Sequence, residues 1–170
     1  MADVVDKKTR SRMMSGIRAK NTKPEMELRS GLHRRGYRFR LHDNSLPGKP
    51  DIILPKLRTI ILVHGCFWHG HNCYLFKWPS TRPNFWREKI RSNVTRDQRN
   101  LDVYHDEGWR TITVWECALK GRKAIGIDLV LDQIEVWFSE NGTAADIGCS
   151  EAPPATSDLR ARIRDPGPSV

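Results

Sequence analysis

Between positions 63 and 73 the chain reads Val-His-Gly-Cys-Phe-Trp-His-Gly-His-Asn-Cys, so His64, His69, His71, Cys66 and Cys73 surround the adjacent pair Phe67-Trp68. Imidazole nitrogen and thiolate sulfur are the usual zinc donors. Imidazole is also the side chain best matched to proton transfer near neutral pH. A Phe-Trp pair in a polar stretch is costly to expose unless it meets something flat. Metal binding, acid–base chemistry and aromatic insertion are therefore all open to one short loop.

Four constellations follow. Cys66-x4-His71-x-Cys73 offers three zinc ligands within the loop, and Cys117, at the end of an expected strand, offers the fourth that a closed structural site requires. Asp51 opens an apolar run after a glycine turn, where one carboxylate with waters and a substrate phosphate suffices for Mg²⁺. Glu25 is a candidate second carboxylate. His64 and His69, the histidines left over from zinc, are candidates to activate water or protonate a leaving oxygen. Phe67, Trp68, Trp78, Phe85 and Trp86 lie among prolines and cations, as suits stacking on bases or wedging between base pairs. A plainer reading stands beside each. The thiols and His71 could be unrelated, Glu25 a helix cap, and Asp51 a turn residue. The spare histidines could fill a polar loop or support a zinc ligand. Trp109, Trp115 and Trp137 are assigned to the core.

The elements that must position these groups are legible in outline. Thr22-x-x-Glu25 matches a capping box and Pro24 suits a first turn, so a helix is expected over 22–35 with Met26, Leu28 and Leu32 available to the core. Residues 37–42 alternate and predict a strand. The runs 51–54 and 59–63 predict short apolar strands, the second central and buried. A long helix over 84–107 carries Ile90, Val94, Leu101 and Tyr104 on one face. A strand over 110–117 and an amphipathic helix over 127–139 complete an α/β sandwich around a mixed sheet. The division reads as a basic arm at 1–20, a domain at 21–142, and a disordered tail at 143–170 that holds Cys149.

The 170 residues suit one domain, and no apolar run reaches membrane-spanning length or resembles a signal peptide. A cytoplasmic location is the default, where four cysteines argue for metal or free thiols over disulfides. Residues 1–40 hold twelve Lys/Arg and four Asp/Glu, so +8 of the net +9 lies there. With six tryptophans, that charge points to nucleic acid rather than a membrane surface.

Over roughly residues 5–140 the chain resembles the very-short-patch repair (Vsr) endonucleases. The resemblance is carried by Thr9-Arg10-Ser11 with Met14, Pro24-Glu25, Leu46-Pro47-Gly48-Lys49-Pro50-Asp51, Gly65-Cys66-Phe67-Trp68-His69, Phe85-Trp86 with Lys89 and Asn93, Arg96-Asp97, Gly108-Trp109 and Val114-Trp115-Glu116-Cys117. It implies a restriction-endonuclease-like core and a bacterial, Mg²⁺-dependent nick 5′ to the thymine of a T:G mismatch in double-stranded DNA, the lesion left by deaminated 5-methylcytosine. It implies that Asp51 binds catalytic Mg²⁺ with the main-chain oxygen of Val63, that Glu25 and His64 act through waters on that metal, and that His69 is the general base. Cys66, His71, Cys73 and Cys117 match structural zinc ligands, and Phe67, Trp68 and Trp86 match a wedge entering from the major groove. Met14 belongs to an arm closing on the minor groove, while Lys89 and Asn93 approach the mismatched bases. Many relatives have Asp where this chain has His64, and some have Thr where it has Val63. A monomer on the nucleoid is expected, with mismatch-repair proteins as candidate further partners. A zinc-stabilised DNA-binding module without catalysis and a double-strand restriction enzyme remain as alternatives.

Overall fold

The computed structural model describes residues 20–150 together with Lys8. The rest of the basic arm, Met14 included, and residues 151–170 lie outside the described residues. Helix α1 spans Lys23–Arg34, strand β1 Ile52–Leu54, strand β2 Thr59–His64, helix α2 Pro83–Asp106 and strand β3 Arg110–Trp115. They are followed by the short helix α3 (Glu116–Leu119), helix α4 (Ile127–Ser139) and strand β4 (Ala144–Ile147).

The sheet order is β1-β2-β3-β4, with β1 antiparallel to β2 and the other pairs parallel. Alternation along the strands sorts the core into two layers. Ile52, Leu54, Ile61, Ile112 and Val114 meet Leu28 and Leu32 of α1 and Val130, Leu131, Ile134 and Trp137 of α4. Ile53, Ile60 and Leu62 turn the other way, toward Tyr104 of α2. The result is a mixed four-stranded sheet flanked by helices on both faces, as the pattern of elements implied. No helix among the described residues is long and apolar enough to cross a membrane.

The layering decides what reaches the site. His64, Thr113 and Trp115 sit in the phase of β2 and β3 that faces α2, at the carboxyl ends of two parallel strands. Strand β1 runs the opposite way, so its start lies beside the end of β2, and Asp51 arrives there too. The turn feeding Asp51 is anchored from α2: the Tyr104 hydroxyl donates to the Pro47 carbonyl. Gly48 has φ +72°, and a Cβ there would come within 2.3 Å of Asn100 Nδ2, so only glycine fits the approach.

Four expectations need correction. Residues 37–42 form no ladder; a single antiparallel bridge pairs Arg40 with Ile53. Tyr37 and Phe39 do pack on the core, so the alternation marked the correct face for those two, but Leu41 is exposed and His42 turns left-handed (φ 47°), which ends the pairing. Met26 is 51% exposed, because two residues of helix rotate it some 200° from Leu28 and leave that face to Glu25 and Arg29. Cys117 lies in the first turn of α3 instead of ending a strand. The domain also continues past residue 142: β4 pairs Thr111 with Ala144 and Val114 with Ile147, and Cys149 is buried beyond it.

Candidate active site and metal centre

The loop leaving β2 folds back on itself through short hydrogen bonds, His71 N–H to the Cys66 carbonyl (2.9 Å) and Cys73 N–H to the His71 carbonyl (2.9 Å). These turns bring the donor atoms of Cys66, His71, Cys73 and Cys117 within 4.8 Å of one another. His71 Nδ1 lies 3.5 Å from Cys66 Sγ and 3.6 Å from Cys117 Sγ. Donors about 2.0–2.3 Å from a tetrahedral zinc ion stand roughly 3.3–3.8 Å apart, so both the donor chemistry and the spacing fit zinc. Cys66 and Cys117 are wholly buried. The contact between their sulfurs, with His71 adding to it, holds the Cys117 thiol below the usual range, and that contact together with burial pushes the Cys66 thiol up. The Trp115 ring stacks on His71 at 4.1 Å, and the Cys149 N–H donates to Cys117 Sγ at 3.3 Å.

A second cluster shares the same strand ends. Asp51 Oδ2 accepts the Val63 N–H at 2.8 Å. Burial pushes the Asp51 carboxyl up to about 6; the Val63 N–H, Arg29 and His69 pull it down, while Glu25 adds to the rise. A carboxylate buried with too little compensating charge is suited to a hard cation, so Asp51 fits a magnesium ligand.

His69 Nδ1 lies 2.5 Å from Asp97 Oδ2, and the His69 ring stacks on His64 at 3.8 Å with 5° between planes. With Nδ1 committed to a carboxylate, Nε2 becomes the nitrogen that can accept a proton. His64 meets the Trp115 ring edge to face at 5.4 Å, so Trp115 touches one histidine of each cluster.

Glu25 serves the helix cap. Its Oε1 accepts from Thr22 Oγ1 (3.0 Å) and its Oε2 from the Asn21 N–H (2.9 Å), while Thr22 Oγ1 accepts the Glu25 N–H. Arg29 pairs with Oε2 at 2.8 Å, and both side chains are buried. Among the described residues no hydrogen bond joins Glu25 to Asp51; the two communicate through charge.

The aromatics gather as one patch. Phe67 stands edge to face on Trp68 (5.2 Å) and on Trp86 (5.3 Å) of α2, and Trp68 and Trp86 are 6.0 Å apart. Phe85 is 45% exposed beside Trp86, whereas Trp78 packs on Phe76. Lys89 is exposed one turn before Asn93. Asn93 is buried and donates to the Trp68 carbonyl at 2.9 Å, so in this state it holds the aromatic loop.

Asp97 was missed as a site residue. Its signal was a carboxylate falling on the apolar stripe of α2, in step with Ile90, Val94, Leu101 and Tyr104. Arg29 was missed for a similar reason, as a cation within the buried face of α1.

Comparison with known proteins bears on what this machinery does. The family profile described as DNA mismatch endonuclease Vsr matches residues 2–75. The DNA mismatch endonuclease Vsr of Escherichia coli (strain K12) is 47% identical over 147 residues, covering 86% of this chain and 94% of that protein. The type II nicking enzyme V.XorIIP of Xanthomonas oryzae is 46% identical, covering 74% of this chain and 92% of its own length. The type II nicking enzyme V.NmeAIP of Neisseria meningitidis is 42% identical over 72% of this chain and 87% of its own. A half-buried carboxylate, a carboxylate-anchored histidine, a zinc-type donor set and an aromatic patch, carried on a sequence this similar, establish that the chain belongs to the Vsr family of DNA mismatch endonucleases.

Proposed function

We propose that this endonuclease nicks double-stranded DNA 5′ to the thymine of a T:G mismatch, initiating very-short-patch repair of deaminated 5-methylcytosine. The observation that carries the chemistry is His69 anchored to Asp97 at the same sheet end as the half-buried Asp51 carboxylate. His69 Nε2 takes a proton from the attacking water, and Asp97 stabilises the resulting imidazolium. Asp51, with the Val63 main-chain oxygen, holds Mg²⁺ within a restriction-endonuclease-like core. When bound, the ion supplies positive charge to the scissile phosphate and the leaving oxygen. His64 orders His69 through their stacked rings and, with Glu25, orients water in the cleft. The products are a 5′-phosphate and a 3′-hydroxyl.

Selectivity comes from the cost of opening the duplex. Phe67, Trp68 and Trp86 form the wedge, and a defective pair is cheaper to unstack than a sound one by up to a few kcal/mol. Lys89 and Asn93 read the exposed bases, while the arm with Met14 closes on the opposite groove. Zinc held by Cys66, His71, Cys73 and Cys117 pins the wedge loop. The enzyme acts as a monomer in the bacterial cytoplasm, on the nucleoid, with mismatch-repair proteins as further partners. That two of the relatives above are named nicking enzymes supports cleavage of one strand over a double-strand cut.

The test is one sequence built as four end-labelled duplexes, T:G, T:A, C:G and C:A, each with Mg²⁺ or chelator. A Mg²⁺-dependent nick on the thymine strand of T:G alone is expected. Equal cutting of all four removes mismatch selectivity, and cutting in chelator removes the metal.

A further inference from the structure

Residues 120–123 read Lys-Gly-Arg-Lys and form a tight turn behind α3, with an Ala124 N–H to Gly121 carbonyl bond of 3.2 Å. Their backbone is fixed by one side chain. The Tyr74 hydroxyl donates to the Lys120 carbonyl at 3.1 Å and accepts the Lys123 N–H at 3.2 Å. Gly121 has φ +93°, and a Cβ there would fall 2.1 Å from the Tyr74 hydroxyl, so the turn closes on the ring only with glycine. Arg122 and Lys123 each lie 5.7 Å from the ring centroid.

Tyr74 directly follows Cys73, and Cys117 precedes Lys120 by three residues, so the turn is bolted to the metal-binding loop at both ends. Phe76, two residues beyond Tyr74, packs on Phe67 at 6.1 Å, which joins the turn to the aromatic patch through one folded loop. Lys120 is paired with Glu116 at 3.0 Å, but Arg122 is exposed and pairs with no carboxylate among the described residues. A structured, unneutralised guanidinium on a turn fastened through Tyr74 to the loop that bears the aromatic patch is matched chemically to a phosphate diester.

We infer that the 120–123 turn is a second DNA-contact surface, in which Arg122 and Lys123 grip backbone phosphates flanking the mismatch independently of base sequence. Because the turn is already shaped by Tyr74, little ordering is lost on contact.

Equilibrium binding of the full-length, zinc-loaded protein to T:G and fully paired duplexes, across about 50 to 200 mM salt, tests this. Each lost phosphate contact lowers the slope of log K against log salt by about 0.9. Arg122→Gln should therefore reduce the slope by roughly one unit, and Arg122→Ala with Lys123→Ala by roughly two. Both duplexes should weaken by the same factor, and Arg122→Lys should keep the slope. Zinc content and melting temperature identify folded variants, and the exposed Arg122→Gln change guards against collapse of the double variant. An unchanged slope in folded Arg122→Gln overturns the inference. So does a loss confined to the T:G duplex, which would make the turn a reader of the mismatch.

Discussion

Two donor clusters hang from the same eleven residues, 63–73, and are built on opposite principles. The Cys66, His71, Cys73 and Cys117 set is closed: its four donors face one another, Cys66 and Cys117 buried and His71 and Cys73 half-buried, and all four are spent on a single point. The Asp51, His64, His69 and Asp97 set is open: the His69 side chain keeps 19% of its surface and Asp97 11%, and each contact fixes a group while leaving one atom to react. The closed cluster resembles a core residue in its energetics, since removing part of it leaves buried polar atoms behind. The open cluster holds a half-buried, desolvated carboxylate that lacks full compensation, so its members should cost stability and return it as catalysis. Trp115, stacked on His71 and edge-on to His64, is the wall between them.

The sharpest test sets one ligand from each cluster against the other. Cys117→Ala should release zinc and lower the melting temperature by about 10 °C or more, because metal affinity in a closed site is folding energy. Unchanged melting with full zinc content would remove Cys117 from the ligand set. Asp51→Ala should do the reverse, lowering the nicking rate at least about a thousandfold while the folded protein survives and still binds a T:G duplex. If Asp51→Ala melts early and Cys117→Ala merely nicks slowly, the two roles are exchanged and the comparison is broken.

The closed cluster was legible in the sequence and the open one only in part. Soft donors are scarce, and three of them within eight residues announce themselves; the fourth, Cys117, needed only a strand running beside β2. The capping of α1 was legible for the same reason, since Thr22 and Glu25 act within one turn. Asp97 lies 28 residues from His69, and only the crossover through α2 brings them together. Strand β4 was hidden because Ala-Ala-Asp-Ile is a weak strand former with one buried residue, Ile147; pairing with β3 supplies what its own sequence lacks. In the 37–42 segment the local signal ran ahead of the structure, since alternation reports which face is buried and not whether a neighbour offers hydrogen bonds.

A pH titration of stability sharpens the contrast. Asp51 rises from 3.8 in the open chain to about 6 in the metal-free fold, mainly through burial. Between those values the folded protein binds more protons than the unfolded one, so stability is fully present below about pH 4 and falls as pH rises through about 6. A shift of about two units corresponds to about 3 kcal/mol. Zinc-loaded protein in magnesium-free buffer should show this decline in denaturant titrations, and Asp51→Asn should flatten it. A wild-type profile that does not fall across this window would mean the carboxylate is adequately compensated without a cation.

The smallest expected effect belongs to Asp97, which acts through His69. Asp97→Asn keeps an acceptor for the His69 Nδ1–H but removes the charge that stabilises an imidazolium, so kcat should fall about ten- to a hundredfold. KM and melting temperature should hardly move, because the aromatic loop is fastened elsewhere, through Asn93 and Trp68. Asp97→Glu should recover part of kcat by restoring the charge at the cost of alignment. These readouts separate a positioning role from a structural one. Were Asp97 only a buried pair member holding α2 to the loop, Asn and Glu would both lower the melting temperature, and KM would rise with the loosened wedge. A kcat loss at constant KM, partly rescued by Glu and by no neutral residue, is the outcome expected only if the open cluster spends its one fixed carboxylate–imidazole contact on moving a proton.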